Sequence, residues 1–432
     1  MRRSNVQKRM ETVRAAVMQA SGTARSLPTG RWVRYAETLL LVALSMLLTR
    51  AASAQTVNTD PLNRDPAVRA AYDRFYILDY AGALERFQKI AADHPDDPIA
   101  TGYVLDTVLF GELYRLDLLD TTLYAHDGFL SGKHPVEENR QVTAQITQLS
   151  DKMIAQADGI LSKDSKNVNA LYARSWARSM KSIYMGLVQH SFIGALHLAL
   201  QSRNDSDKIL QIDPDYVDAD LVVGVHQYVV GSLGFAFKMM AGIMGDGGSK
   251  QKGLALLREA GEHGVLTSVE ARTALMLFLR REAKYGDATS VALSLKNQYP
   301  RDFLFWLEEA NLLKDSGDAK QAIAHYRAAL EQAKKPGYFP NAHLELAWYG
   351  LADTLRGQRA FQESADAFEQ VVVQPTVTPD LKRRAQLAAG QEYDLLQQRD
   401  KATAAYKAVL NEGNDSQQAA DAKKYLRSPF GH

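Results

Sequence analysis

The residues of this 432-residue chain whose types and spacing could do chemistry begin with a glycine-rich stretch, GIMGDGGSKQKGLALLREAGEHG, Gly242 to Gly264. Glycines, a serine and a lysine stand ahead of a leucine-rich run, the layout of a loop that cradles phosphate at a helix N-terminus. Such a loop needs lysine directly after its second glycine, followed by a hydroxyl residue, so that the ammonium reaches the terminal phosphates. Here Gly247 is followed by Gly248 and Ser249, and Lys250 arrives late, with no strand leading in. The arrangement argues against a nucleotide site. A serine-hydrolase elbow fails as well, because Gln251 stands where its last glycine belongs.

Ten histidines raise the question of a metal. His190 and His197 are spaced to share a helical face, and His226 lies on the next candidate helix. No H-E-x-x-H pattern accompanies them, and a metal site needs three or four converging ligands. They read as structural histidines. The carboxylates of HPDDP and DPDYVDAD sit at turns and helix starts, where aspartate caps backbone N–H groups. The absence of cysteine excludes disulfides, thiolate metal sites, a cysteine nucleophile and a lipid-modified cysteine together. No catalytic residue, cofactor site or metal ligand is assigned from sequence, and the chain is expected to be no enzyme.

The elements that carry these residues are helical throughout. Amphipathic segments with helical spacing dominate, and strand-like alternation is rare, so the fold class is all-α. Aligning GDAKQAIAHYRAAL, RAFQESADAFEQVV and QRDKATAAYKAVL shows a small residue four positions before an aromatic: Ala322 and Tyr326, Ser364 and Phe368, Ala402 and Tyr406. Trp306 and Trp348 stand sixteen residues before the first two small residues; the third copy has Gln386 there but keeps Gly390 and Tyr393. An earlier copy has Ala288, thirty-four residues before Ala322, and closes with Pro300. Near the start, Ala83, Phe87 and Pro95 repeat the pattern. In the glycine-rich stretch Gly253 and Leu257 take the small and bulky positions, which makes Gly248 a turn glycine comparable to Gly317, a place where positive φ is wanted.

These landmarks resemble the tetratricopeptide repeat. The resemblance implies a right-handed α-solenoid of helix pairs, with longer apolar helices in the middle and a capping helix at the end. The small residue lets the second helix of a pair approach the first, and the aromatic fills the groove toward the next repeat. A second, weaker similarity covers Asp218 to Gln332. An apolar helix, a GDG-like turn, KGLALLREA and SVEARTALMLFLRREAKYGDA are similar to the inclusion-body-clearance family of tetratricopeptide proteins associated with the mitochondrial outer membrane. It implies a non-catalytic adaptor with lipid- or envelope-related duties.

The expected organisation is a signal peptide over 1–54, degenerate helical repeats over 55–215, an apolar helix with its turn and partner helix over 216–265, and a repeat array over 266–432. The first segment combines a long basic stretch, the apolar run LLLVALSMLL and AASAQ, which predicts export, a periplasmic location and cleavage near Ala54 and Gln55. It holds nine of the 51 basic and two of the 50 acidic residues, so the remainder of the chain is mildly acidic and offers no footprint for nucleic acid.

Protein or peptide partners are expected on the concave face lined by the first helix of each pair, with Glu309, Lys314, Glu345 and Tyr349 as candidate contacts. The alternative is peripheral membrane or lipid contact by Leu221 to Met244, with Phe235, Phe237, Met240 and Met244 as a greasy lip. Two uncharged stretches, Ile183 to Leu200 and Leu221 to Phe237, approach the length of membrane spans, and their histidines, glutamines and glycines favour core helices instead. Glu112 to Arg140 fits the repeat period worst and reads as a connection, either a tolerated surface insertion or a functional loop.

Overall fold

The computed structural model describes residues 58–125, 136–233 and 247–431. The described residues form seventeen α-helices and no strand. Sixteen helices stand as eight pairs. They are α1 (Pro66–Phe75) with α2 (Tyr80–Asp93), α3 (Pro98–Arg115) with α4 (Arg140–Leu161), α5 (Val168–Leu187) with α6 (Phe192–Ile212), and α7 (Asp220–Ser232) with α8 (Lys250–His263). The second half continues with α9 (Ser268–Arg281) and α10 (Tyr285–Gln298), α11 (Phe303–Asp315) and α12 (Ala319–Ala333), α13 (Leu344–Gly357) and α14 (Phe361–Val372), and α15 (Pro379–Leu395) and α16 (Arg399–Asn411). A last helix, α17 (Gln417–Arg427), covers the end. Every helix packs on the one before and the one after it, which is the right-handed solenoid that the repeats imply.

Polar residues start many of the helices in the way their type dictates. Asp97 accepts from the backbone N–H of Ile99 at 2.8 Å with Pro98 opening α3, and Asp79, Asn167, Asp302 and Asp318 cap their helices similarly. Asp218 departs from the turn-capping expectation. It is fully buried, and one of its oxygens accepts from Leu266 N, Thr267 N and Thr267 Oγ1 while the other accepts from Thr59 Oγ1. That carboxylate ties the turn before α9 to the first described residues.

Turns inside six of the eight pairs share one device. Leu78, His190, Ala283, Gly317, Arg359 and Gln397 all have positive φ, between 52 and 86°. Each lies five residues before a buried small residue: Ala83, Ala195, Ala288, Ala322, Ser364 and Ala402. The left-handed residue ends the first helix by turning its last N–H groups back, as where Gly317 N reaches Lys314 O and Asp318 N reaches Leu313 O, both at 3.0 Å. Gly248 is the exception and corrects the expectation placed on it. Its φ is outside the left-handed region, and a Cβ there would stand 2.3 Å from Gly231 N. Glycine is needed at 248 because the backbone before α8 presses on the end of α7.

Ala83, Phe87, Leu257, Ala288, Ala322, Tyr326, Ser364, Ala402 and Tyr406 are wholly enclosed, with Phe368, Gly253, Gly390 and Tyr393 also buried. Phe87 stacks on Tyr103 of α3 at 5.2 Å and meets Tyr72 of α1 edge-on at 4.9 Å. Trp306 and Trp348 are half-buried, and Pro95 and Pro300 stand at repeat ends with more of their surface open. The middle helices are long, with 22, 20 and 21 residues in α4, α5 and α6. The uncharged stretch Ile183 to Leu200 is not one helix: α5 stops at Leu187, the chain turns through His190, and α6 starts at Phe192. No described helix is long and apolar enough to cross a membrane.

The array also folds back on itself. Tyr76, just past α1, donates to Glu270 of α9 at 2.7 Å and packs its ring 4.9 Å from that of Tyr299. Leu78 and Tyr114 join the cluster built by Phe303, Leu307, Tyr326 and Leu351, and Tyr114 donates to the carbonyl of Asn341 at 2.6 Å. The first repeat and the end of α3 therefore lie against α9, α11 and the approach to α13.

Candidate functional site

The long connection expected between Glu112 and Arg140 begins as part of the interior. After α3, Asp117 takes φ 58°, Leu118 and Thr121 are buried, and a 3-10 turn runs over Thr121–Tyr124. The backbone N–H of Thr121 donates to Glu308 Oε1 of α11 at 2.9 Å, and Arg281 of α9 donates to Tyr124 O at 2.8 Å. Arg280 completes the contact, reaching Thr121 Oγ1 at 3.1 Å, Glu308 at 3.4 Å and Asp315 at 2.5 Å. Burial drives the Glu308 carboxyl up to about 7 despite the guanidinium beside it. The glycines and proline of this connection, Gly128, Gly132 and Pro135, lie outside the described residues.

This inward packing bears on the candidate contact residues. Glu309 is 4% exposed and pairs with Lys296 and His325 from the neighbouring α10 and α12. Glu345 is wholly buried and accepts from Thr376 Oγ1 at 2.7 Å. Neither glutamate lines an open groove, because adjoining helices and loops close over them. Lys314 and Tyr349 keep part of their surface: Lys314 lies 3.3 Å from Asp353, and Tyr349 is edge-on to Phe368 with the Arg384 guanidinium 4.8 Å above its ring. Phe235, Phe237, Met240 and Met244 lie outside the described residues, as does the segment 1–54.

The histidines named from sequence do not converge as one face. His190 sits in the α5–α6 turn with positive φ, and His197 on α6 contacts Gln201 at 2.6 Å. A different histidine does meet carboxylates. His343 precedes α13, and its Nδ1 is 2.5 Å from Asp117 Oδ1 and 3.5 Å from Glu345 Oε1. The Tyr114 ring covers the imidazole at 4.3 Å between centroids. Asp117 and His343 are 226 residues apart. Sequence reasoning missed this trio because only the spacing His343-x-Glu345 is local, and that spacing by itself is common.

A solvent-facing cleft opens between α12 and α13, where the residues KKPGYFPN lengthen the repeat. It has a volume of about 390 Å³, a floor of Leu330, Ala333, Leu344 and Trp348, and a rim of Arg327, Glu331 and Lys334. The rim charges are partly matched among themselves and with α14, through Lys334 to Glu331 and Arg327 to Glu363, both at 2.6 Å. An apolar floor with a neutralised polar rim suits an apolar side chain of a bound segment.

No protein-family model matches the chain, and no curated protein matches it. Solved structures do. The chain is similar to one from the crystal structure of the APC/C hetero-tetramer Cut9–Hcn1, with 14% identity, 88% of this chain and 59% of that chain covered, and a TM-score of 0.47. It is similar to yeast Tom70, with 13% identity, 84% and 88% coverage and a TM-score of 0.39. A tetratricopeptide repeat protein from Parabacteroides merdae aligns at 13% identity over 75% of this chain and 99% of its own, with a TM-score of 0.33. The chain spans less than two thirds of the first of these, and the resemblance of Asp218 to Gln332 to the inclusion-body-clearance family gains nothing from them. With every one of these scores below 0.5, the assignment rests on the helix pairs and their buried small and aromatic residues, which make this chain a tetratricopeptide-type α-solenoid.

Proposed function

We propose that the protein is a non-catalytic scaffold that is exported, sheds its first segment near Ala54 and works in the periplasm by binding a partner protein on its outer surface. The observation that carries this reading is the α12–α13 cleft. The cleft lies beside the repeat insertion, and the half-buried Trp348 and Leu344 line it together with Leu330. The first helices of the pairs line the usual seat for a ligand of such solenoids, and in this chain the segment after α3 contacts two of them, at Arg281 of α9 and Glu308 of α11.

The test is site-specific photo-crosslinking in cells from Lys334, whose side chain is 73% exposed, with the equally exposed Glu331 as a second position at 69%. A discrete partner captured from both, and lost when Trp348 is replaced by alanine, supports the reading. Crosslinks no different from those of a probe on the far side of α14 reject it. N-terminal sequencing of the chain recovered from cells tests export, with Gln55 as the expected first residue.

A second reading has its own observation. Ile193 and Phe192 are 88% and 51% exposed where α5 turns into α6, and Val229 on α7 is 42% exposed. Apolar side chains so placed, ahead of the segment with Phe235 to Met244, fit contact with a lipid surface. Flotation with liposomes decides it: association that disappears in a chain with Phe192 and Ile193 replaced by serine would favour membrane contact over the protein partner.

A further inference from the structure

Asp117, His343 and Glu345 bring one imidazole nitrogen and two carboxylate oxygens together, all within 4.8 Å of one another. The hydrogen-bonding within the trio is incomplete. A proton on His343 Nδ1 is directed to Asp117 Oδ1 at 2.5 Å, which leaves Glu345 Oε1 at 3.5 Å with no hydrogen-bond partner. Glu345 itself is 0% exposed, and its other oxygen is already occupied by Thr376 Oγ1 at 2.7 Å. A sealed carboxylate oxygen without a donor is costly, and here it points at the same nitrogen that Asp117 faces.

We propose that these three side chains bind one divalent transition-metal ion of the zinc class. A cation in place of the Nδ1 proton faces all three donors at once and gives Glu345 Oε1 the positive partner that it lacks. One imidazole and two carboxylates form a borderline donor set, which suits zinc better than the all-oxygen shells of calcium or magnesium. With bonds of about 2.1 Å, neighbouring tetrahedral ligands stand about 3.4 Å apart. The His343 to Glu345 distance already matches this, and Asp117 Oδ1 must draw back by a rotation of its carboxylate. Asp117 is the most exposed of the trio, at 14% side-chain exposure.

The placement decides what the ion does. Asp117 belongs to the chain reversal after α3, whereas His343 and Glu345 open α13, in the seventh helix pair. The ion clasps the segment after α3 to the C-terminal repeats across 226 residues, independently of whatever occupies the α12–α13 cleft.

The test uses the full chain without a histidine tag, stripped with a chelator and dialysed. Zinc chloride is titrated by calorimetry, and cobalt chloride is followed by its visible absorption. The expected result is one saturable zinc per chain, a cobalt spectrum of four-coordinate intensity, and a thermal midpoint that rises with added zinc. Asp117→Asn, His343→Gln and Glu345→Gln each lower the affinity by at least about tenfold and abolish the shift in midpoint. Should the two buried positions not tolerate replacement, Asp117→Asn carries the test, since it keeps the size and a hydrogen-bonding oxygen in a partly exposed loop. Absence of saturable zinc binding overturns the proposal, and so does binding that survives Asp117→Asn unchanged.

Discussion

A Cβ placed on Gly350 of α13 would stand 2.5 Å from Cζ of Tyr326 on α12, and the Tyr326 hydroxyl behind it is held by Asn311 of α11 at 2.5 Å. The ring is wholly buried and cannot retreat. Glycine inside a helix costs about 1 kcal/mol relative to alanine, so this position trades helix propensity for ring contact. Gly350→Ala is expected to destabilise the chain by about 1–3 kcal/mol through overpacking. Gly159 in the exposed part of α4 would meet nothing within 4 Å, and there the same change should stabilise by about 0.5–1 kcal/mol. Denaturant unfolding of the two variants should show opposite signs.

The left-handed residues in the turns give a second pair of opposite signs. Arg359 and Gln397 are exposed or nearly so and hold φ of 59 and 60° without being glycine. Replacing either by glycine should raise stability by up to about 1 kcal/mol, since only the strain of the side-chain-bearing backbone is removed. Gly317→Ala, at φ 86° and with open space around it, should lower stability by about 1 kcal/mol. Equal losses at all three would refute the common role of these turns.

Arg280 is 4% exposed between Glu308 and Asp315. Arg280→Met should cost about 1–3 kcal/mol, because Thr121 Oγ1, Glu308 and Asp315 lose their donor and the buried Glu308 carboxyl, already raised to about 7, must take up a proton. Adding Glu308→Leu should recover most of that loss, which a double-mutant cycle measures. Recovery would assign the penalty to the stranded carboxylate rather than to lost packing.

Glu270 supplies a dependence on pH. Burial raises its carboxyl from 4.5 to about 7, against the Tyr76 hydroxyl that donates to one oxygen, while the other oxygen has no partner. The folded chain holds this proton up to about pH 7, whereas the unfolded chain releases it near 4.5. Stability from this group is thus fully present below pH 4.5 and declines as pH rises to 7, by at most about 1.4 kcal/mol per unit. Glu270→Gln removes the titration, so its stability relative to the native chain should grow from about pH 5 to 7 and level off above. A difference that is flat over this range would contradict the assignment.

How much of the structure is legible in the sequence depends on the range of the interactions. The spacing of Ala322 and Tyr326, of Ser364 and Phe368, and of Ala402 and Tyr406 is local, and it predicts both the helix pairs and their buried positions. The break in the stretch from Ile183 to Leu200 is not legible, because apolar composition does not reveal a left-handed turn at a histidine. The sequence pattern puts Gly248 in the correct turn and suggests the wrong reason for it, since a close approach of α7 and a positive φ both select glycine.

Which residues face water is decided by the tertiary structure. Glu309 and Glu345 are polar residues on the first helices of their pairs, and a repeat code alone marks them as free surface. Glu309 is closed over by Lys296 and His325 from the neighbouring helices, and Glu345 lies under Thr376 and beside His343, which Asp117 reaches across 226 residues. The same return of the chain brings Asp117 to His343 and Thr121 to Glu308. Short-range periodicity encodes the helix pair, because each pair is stabilised by residues a few positions apart. The superhelical path that carries the first repeats onto the later ones accumulates from small rotations between pairs, and no local pattern records their sum.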